Sequence, residues 1–203
     1  MKKGILLLNG EPFSEPIDDS DAAVYCCDGA YEWAKGRVRI DKTVGDFDSL
    51  SYIPDPPPEE IFPSEKNFTD GEIALFKMIA AGFGDITIYG GGGGREDHFL
   101  GNLQLLYAAL SRGVSCRMIT SRSIIFAARG VVELGLYAGS TFSLLPFGNE
   151  VHIMDSRGCK YVYPEKICVG ECRGISNIVQ SKEAYVRLRE GDTALIIVNR
   201  GKV

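Results

Sequence analysis

Histidine is scarce in this chain of 203 residues, and His98 and His152 are its only two. Neither has a serine or cysteine nucleophile pattern beside it, which argues against a hydrolytic triad. A basic excess is also missing: 22 Lys and Arg face 27 Asp and Glu, for a net charge of −5. That balance excludes broad binding to nucleic acid or to an anionic membrane, both of which want a basic surface. No apolar run approaches the length of a transmembrane helix. Met1-Lys2-Lys3-Gly4 followed by Ile5 to Leu8 faintly resembles a signal peptide, but Asn9-Gly10-Glu11 ends the run too early. The six cysteines, Cys26, Cys27, Cys116, Cys159, Cys168 and Cys172, match neither a zinc spacing nor Cys-x-x-Cys. Several sit in apolar strand-like runs, so buried free thiols in a reducing cytosol are expected. A Lys-Ser/Thr P-loop ending and a dinucleotide fingerprint are absent too.

What is present is an ordinary soluble composition, 45% hydrophobic and 24% charged. Ile5 to Leu8 and Ala22 to Cys27 read as buried strands, each ending in a polar residue and a glycine: Asn9-Gly10 and Asp28-Gly29. A short helix from Ala30 to Lys35 closes at Gly36, and Lys42-Thr43-Val44 is a third strand before Gly45-Asp46. The proline-rich residues 54 to 60 read as a rigid surface connection, and Ile61-Phe62 as a short strand. Thr69-Asp70-Gly71-Glu72 is a capping box that opens an apolar helix ending near Gly82. Asp85 to Tyr89 is a strand, Gly90 to Gly94 a glycine run, Phe99 to Leu110 a helix, and Cys116 to Thr120 a last strand. Alternation of this kind predicts a doubly wound parallel α/β sheet.

The texture changes near residue 122. Short β-like runs separated by glycine follow: 124–128, 131–134, 141–145 and 150–154. Ala184 to Arg189 and Ala194 to Val198 flank the turn Glu190-Gly191-Asp192 as a β-hairpin signature. No amphipathic helix is evident after Arg112. The expectation is two domains, an α/β nucleotide-binding catalytic domain over 1–122 and an all-β sandwich over 123–203.

The chemistry is expected on one sheet edge. In a parallel sheet the turns after the strands converge, and ligands bind there. Asp46 and Asp48 put two carboxylates at a strand end, where they repel unless a cation sits between them. Oxygen-only ligands suit Mg²⁺ bridging to phosphates. The glycine run lets backbone approach phosphate oxygens at a helix N-terminus. Arg95 suits bidentate phosphate contact, Asp97 could join the metal cluster, and His98 could bond a phosphate or only close the turn. The bland readings are polar turns and helix caps, including for Asp70 at a helix start, a solvated loop charge at Lys66 and a structural His152.

Together these residues resemble thiamine pyrophosphokinases. The resemblance is carried by Asp28-Gly29, Gly45-Asp46-Phe47-Asp48-Ser49, Lys66-Asn67-Phe68-Thr69-Asp70 with Glu72 to Leu75, and Gly93-Gly94-Arg95-Glu96-Asp97-His98 with Gly101-Asn102. Gly174-Ile175-Ser176-Asn177 resembles that family's thiamine-side motif. Asn67 stands where the family often has Asp, and Gly101 replaces a usual Ala. The resemblance implies transfer of pyrophosphate from ATP to the thiamine hydroxyl, giving thiamine diphosphate and AMP. It implies Mg²⁺ held by Asp46, Asp48, Asp70 and Asp97, and catalysis by these with Arg95. Asp28, Gly29, Lys66, Thr69, Gly93, Gly94, Arg95, His98 and Asn102 would bind ATP, and Ser176 and Asn177 would face the aminopyrimidine. Tyr161 and Tyr163 are the candidates for an aromatic that stacks on thiamine, since Trp33 lies in the first half. A cytoplasmic homodimer is implied, with thiamine bound where one subunit's α/β domain meets the other's β domain. Two rivals stand beside this. Asp46 to Leu50 also resembles the nucleophile motif of haloacid-dehalogenase phosphatases, although it follows a later strand than in that family. A nucleotide-binding sensor without catalysis is the other.

Overall fold

A computed structural model describes residues 1–47, 50, 52–58 and 67–201. The chain divides into two compact units, Met1–Ser121 and Arg122–Val203.

In the first unit the strands are β1 (Lys2–Leu7), β2 (Ala22–Cys27), β3 (Lys42–Val44), β4 (Phe83–Tyr89) and β5 (Ser115–Ile119). They lie side by side in the order β5-β4-β1-β2-β3, and each neighbouring pair is parallel. The central strands are apolar on both faces: Ile5, Leu6, Leu7, Val24, Cys26, Ile86 and Ile88 are all buried, as a sheet covered on both sides requires. Helices α1 (Ala30–Ala34), α2 (Asp70–Ala80) and α3 (Glu96–Leu110) follow β2, β3 and β4 in sequence. Thr69 caps α2, with the Glu72 amide donating to Thr69 Oγ1 at 3.2 Å. Gly71 sits in the first turn of α2, where a Cβ would lie 2.9 Å from Leu8 Cδ2. The missing side chain therefore brings the start of α2 down onto the end of β1. From β1 the chain steps to β2 and β3 on one side, then returns to β4 and β5 on the other. The reversal leaves a crevice between the carboxyl ends of β1 and β4, where ligands of open α/β sheets bind.

The described part of the proline-rich connection is pinned to α1 and β3: Tyr31 Oη donates to Asp55 O and accepts from Asp55 N, and Thr43 Oγ1 donates to Pro56 O at 3.0 Å. The strand expected at Ile61-Phe62 lies outside the described residues. Cys26, Cys27 and Cys116 are buried free thiols; Cys159 and Cys168 are half-buried and Cys172 is exposed. Burial, with Asp28 nearby, pushes the Cys26 thiol up to about 12, so it stays protonated and inert. No helix of the described residues is long and apolar enough to cross a membrane.

The second unit holds β6 (Ser123–Ala128), β7 (Val131–Glu133), β8 (Thr141–Pro146), β9 (Glu150–Arg157), β10 (Lys166–Cys168), β11 (Asn177–Ile178), β12 (Tyr185–Leu188) and β13 (Ala194–Asn199). They form two antiparallel groups, β11-β8-β13-β6 and β10-β9-β12-β7. Phe142, Leu144, Ile196 and Val198 of the first group share one core with Val151, Ile167, Val186 and Leu188 of the second. Among the described residues beyond Arg112, the one helical segment is a single 3₁₀ turn at Gly135–Tyr137.

The hairpin expected across Glu190-Gly191-Asp192 is corrected. β12 pairs with β7 and β9, whereas β13 pairs with β6 and β8, so the two strands belong to different groups. The turn carries the chain across the core instead of folding it back in plane. Asp192 explains why: its carboxylate accepts from the His152 amide at 2.7 Å and from Arg189 Nη2 at 3.0 Å, and meets His152 Nδ1 at 3.0 Å. The turn is thereby tied to β9 rather than left to close a hairpin. The short strands β10 and β11 were not expected from sequence; at two and three residues they carry too few positions to show alternation.

Burial works to raise the Asp192 pKa, but the bonds from the His152 amide, Arg189 and the His152 ring outweigh it and hold it below the usual carboxylate range. A carboxylate depressed in the folded state stabilises above its unfolded pKa, and that contribution is lost as pH falls through the folded value. Asp192→Asn should lower stability by about 1–3 kcal/mol at pH 7. The gap from wild type, followed by urea unfolding, should shrink below about pH 4. A gap unchanged down to pH 2 would refute the assignment.

Candidate active site

The crevice is built from backbone. Just past β1, the Gly10 amide donates to Gly90 O and the Glu11 amide to Gly92 O, both at 2.6 Å. A Cβ on Gly10 would lie 2.5 Å from the carbonyl oxygens of both Gly90 and Gly92, a contact no side chain tolerates. Gly10 therefore lets the β1 turn lie directly against the glycine run that follows β4. Trp33 Nε1 donates to Leu8 O at 3.2 Å, and Asn102 Nδ2, in the second turn of α3, donates to Gly91 O at 2.9 Å. The first bond holds the end of β1 and the second holds the glycine run. Gly93 and Gly94 take positive φ of 66° and 69°, a conformation cheap only for glycine, and deliver the chain into α3 at Arg95.

The neighbouring turns interlock in the same way. A Cβ on Gly29 would meet the Asn9 side chain at 2.1 Å, and one on Gly45 would meet Asp28 Cβ at 3.0 Å. The Asp28 amide donates to Val44 O at 3.1 Å, stitching the ends of β2 and β3. The ends of β1, β2 and β3 thus form one shelf carrying Asn9, Asp28 and Asp46. Asp28 and Asp46 are half-buried. Phe47, next in line, is buried in the core with Val24 and Tyr31 yet has φ of 54°. A non-glycine residue in the left-handed region is a strain that surrounding packing must hold. The buried ring is that hold, and the backbone reversal leaves Asp46 on the shelf.

Arg95 and Asp97 pair with each other. Arg95 Nη2 and Nε reach the two Asp97 oxygens at 2.6 and 3.1 Å, and Asp97 Oδ1 also accepts the His98 amide at 2.9 Å. The Arg95 bond first, and the His98 amide with it, hold the Asp97 carboxyl below its usual range. Both side chains are exposed, at the start of α3. His98 is exposed, Asp70 half-buried in the first turn of α2, and Thr69 is occupied as its cap. Asp48 and Lys66 lie outside the described residues. Among the described residues, no three His, Cys, Asp or Glu side chains group closely enough to hold a metal. The carboxylates that the turns present are nonetheless all-oxygen donors, the chemistry of Mg²⁺ rather than of zinc.

Asn9, Gly10 and Trp33 are the site residues that sequence reasoning missed. The signal for the first two was there: Asn-Gly ends a buried strand on the same edge as the other polar turns. Nothing local marks Trp33.

In the second unit, Ser176 is exposed with φ of 61°, and its amide donates to Ser143 Oγ at 3.1 Å. Asn177 is only 3% exposed. Its Oδ1 accepts from the amides of Tyr161 and Ile178, and its Nδ2 donates to Tyr161 O. The two candidate tyrosines separate cleanly: Tyr163 is 9% exposed and packs on Phe142, whereas Tyr161 is 54% exposed. His152 is structural, bound to Asp192 and Arg189.

Comparison with known proteins gives a consistent result. Residues 16–118 match the family model described as thiamin pyrophosphokinase, catalytic domain. The chain is 31% identical over 151 residues to thiamine pyrophosphokinase of Bacillus subtilis (strain 168), covering 70% of this chain and 71% of that protein. The crystal structure of the Bacillus subtilis thiamine pyrophosphokinase superposes with a TM-score of 0.84 over 100% of both chains at 24% identity. That of yeast thiamin pyrophosphokinase superposes at 0.75 over 98% of this chain and 86% of the other, at 16% identity. The structural likenesses speak to fold, and the sequence matches, which extend over half of the chain and more, place the chain in the thiamine pyrophosphokinase family of transferases.

Proposed function

We propose that the protein transfers pyrophosphate from ATP to the hydroxyl of thiamine, giving thiamine diphosphate and AMP. The observation that carries this is the backbone cradle in which Gly10 lies against Gly90 and Gly92 at the switch of strand order, flanked by Asp28 and Asp46 and by Arg95. A polyphosphate needs close backbone approach, a fixed cation and neutralisation, and little covalent help. Family membership supplies the acceptor class.

In this reading Gly93, Gly94 and the first turn of α3 take phosphate oxygens. Arg95 stabilises charge developing on the transferred group, leaving its ground-state partner Asp97 to do so. Asp46, Asp48, Asp70 and Asp97 are the oxygen donors that would hold Mg²⁺, which when bound neutralises polyphosphate charge. The thiamine hydroxyl oxygen forms the new bond to the β-phosphorus, the bond from that phosphorus to the AMP oxygen breaks, and an aspartate, Asp46 or Asp70, takes the hydroxyl proton. Asn102 contributes by holding Gly91. On the acceptor side, exposed Tyr161 rather than buried Tyr163 offers the stacking face, and exposed Ser176 belongs to the motif of residues 174–177. The exposed Tyr161 ring is an electron-rich face of the kind that stacks on aromatic, cationic ligands. The protein acts as a cytoplasmic homodimer, a compartment in keeping with its free thiols.

With ATP, Mg²⁺ and thiamine, the wild type should release AMP and thiamine diphosphate in equal amounts, and Asp48→Ala almost none. Inorganic phosphate in their place would indicate a phosphatase, and nucleotide binding without products a sensor. Gly10→Ala must push the glycine run away from β1. It should cut kcat/KM for ATP about tenfold or more, equivalent to about 1.4 kcal/mol, in a steady-state assay with thiamine saturating. Unchanged kinetics would show that the cradle does not hold the polyphosphate.

A further inference from the structure

Residues 158–161 run alongside 177–180. The Gln180 amide donates to Gly158 O at 2.7 Å, Cys159 bridges Val179, and the Lys160 amide donates to Ile178 O at 2.9 Å. That register sets Tyr161 directly opposite Asn177, at a position where antiparallel main chains exchange no hydrogen bonds. The Asn177 side chain supplies the bonds instead. Its Oδ1 accepts the Tyr161 amide at 2.9 Å and its Nδ2 donates to Tyr161 O at 2.8 Å. A carboxamide has the same donor and acceptor as a peptide group, so it can bond Tyr161 where the opposing main chain does not. Oδ1 also takes the Ile178 amide at 2.8 Å, which fills both of its lone pairs. The side chain is 97% buried by its residue exposure of 3%, and Nδ2 already spends one of its two hydrogens on Tyr161.

We propose that Asn177 does not contact the acceptor. It is a positioning residue that clamps the Tyr161 backbone so that the Tyr161 ring stands exposed as the platform for an aromatic, cationic acceptor. This rests on the acceptor surface argued above and assigns its parts: Tyr161 touches the ligand, and Asn177 holds its backbone. In this proposal Asn177 acts indirectly rather than facing the aminopyrimidine, because its oxygen and one of its amide hydrogens are committed to backbone.

A double-mutant cycle on the full-length enzyme tests this. Asn177→Ala should raise KM for thiamine about tenfold and leave KM for ATP within about twofold. Tyr161→Ala should raise KM for thiamine at least as much. The double variant should match Tyr161→Ala alone, since groups acting through one contact are non-additive. Multiplying effects would mean that Asn177 touches the acceptor directly, and would overturn the inference while leaving the acceptor surface intact. An unchanged KM for thiamine in Tyr161→Ala would overturn both. Hydrogen exchange gives a readout independent of activity. The Tyr161 amide should be protected in wild type and exchange at least tenfold faster in Asn177→Ala. If that variant fails to fold, Asn177→Asp serves: it keeps the acceptor for the Tyr161 amide and loses the donor to Tyr161 O. It should retain amide protection yet raise KM for thiamine; loss of neither would refute the clamp.

Discussion

Everything in the α/β unit depends on one close approach of backbone to backbone. The turn after β1 lies against the glycine run after β4 because residue 10 has no side chain, and two short amide-to-carbonyl bonds lock the contact. The contact falls where the strand order reverses, so it closes the floor of the crevice that such sheets open at that point. Trp33 and Asn102 brace it from α1 and α3. A crevice made this way is fixed by main chain rather than by mobile side chains.

The adjoining shelf uses the same device. Gly29 and Gly45 admit the side chains of Asn9 and Asp28, so three strand ends pack within contact of each other. Phe47 then buries its ring while its backbone sits at positive φ. The core holds the strained residue, and the strain sets Asp46 at the edge. The core of the unit is thereby tied to the shelf through a single residue.

In the β unit, side chains stand in for backbone in two places. Asp192 binds the His152 amide and converts what reads as a hairpin turn into a crossing between the two groups of strands. Asn177 bonds the Tyr161 main chain at a position where the opposing strand offers it no main-chain bond. Both are polar groups that would be costly to bury unpaired, and both meet that cost with backbone partners. Burial also separates Tyr161 from Tyr163, which no local pattern distinguishes.

The order of elements, the parallel character of the first half, the turn to β structure near residue 122 and the polar turns at the strand ends were legible in the sequence. They depend on hydrophobic period and on turn chemistry, which are local. The motifs from Asp28 to Asn177 also carried the family resemblance, because their order survives even where each is weak. What tertiary structure decided is pairing. That Gly10 sits under Gly90 and Gly92, that Arg95 holds Asp97, that β12 and β13 part company, and that Asn177 serves Tyr161 all depend on groups distant in sequence or on which of two donors reaches an acceptor first. A residue's type limits the bonds it can make, but only the folded chain determines which partner stands within three ångströms of it.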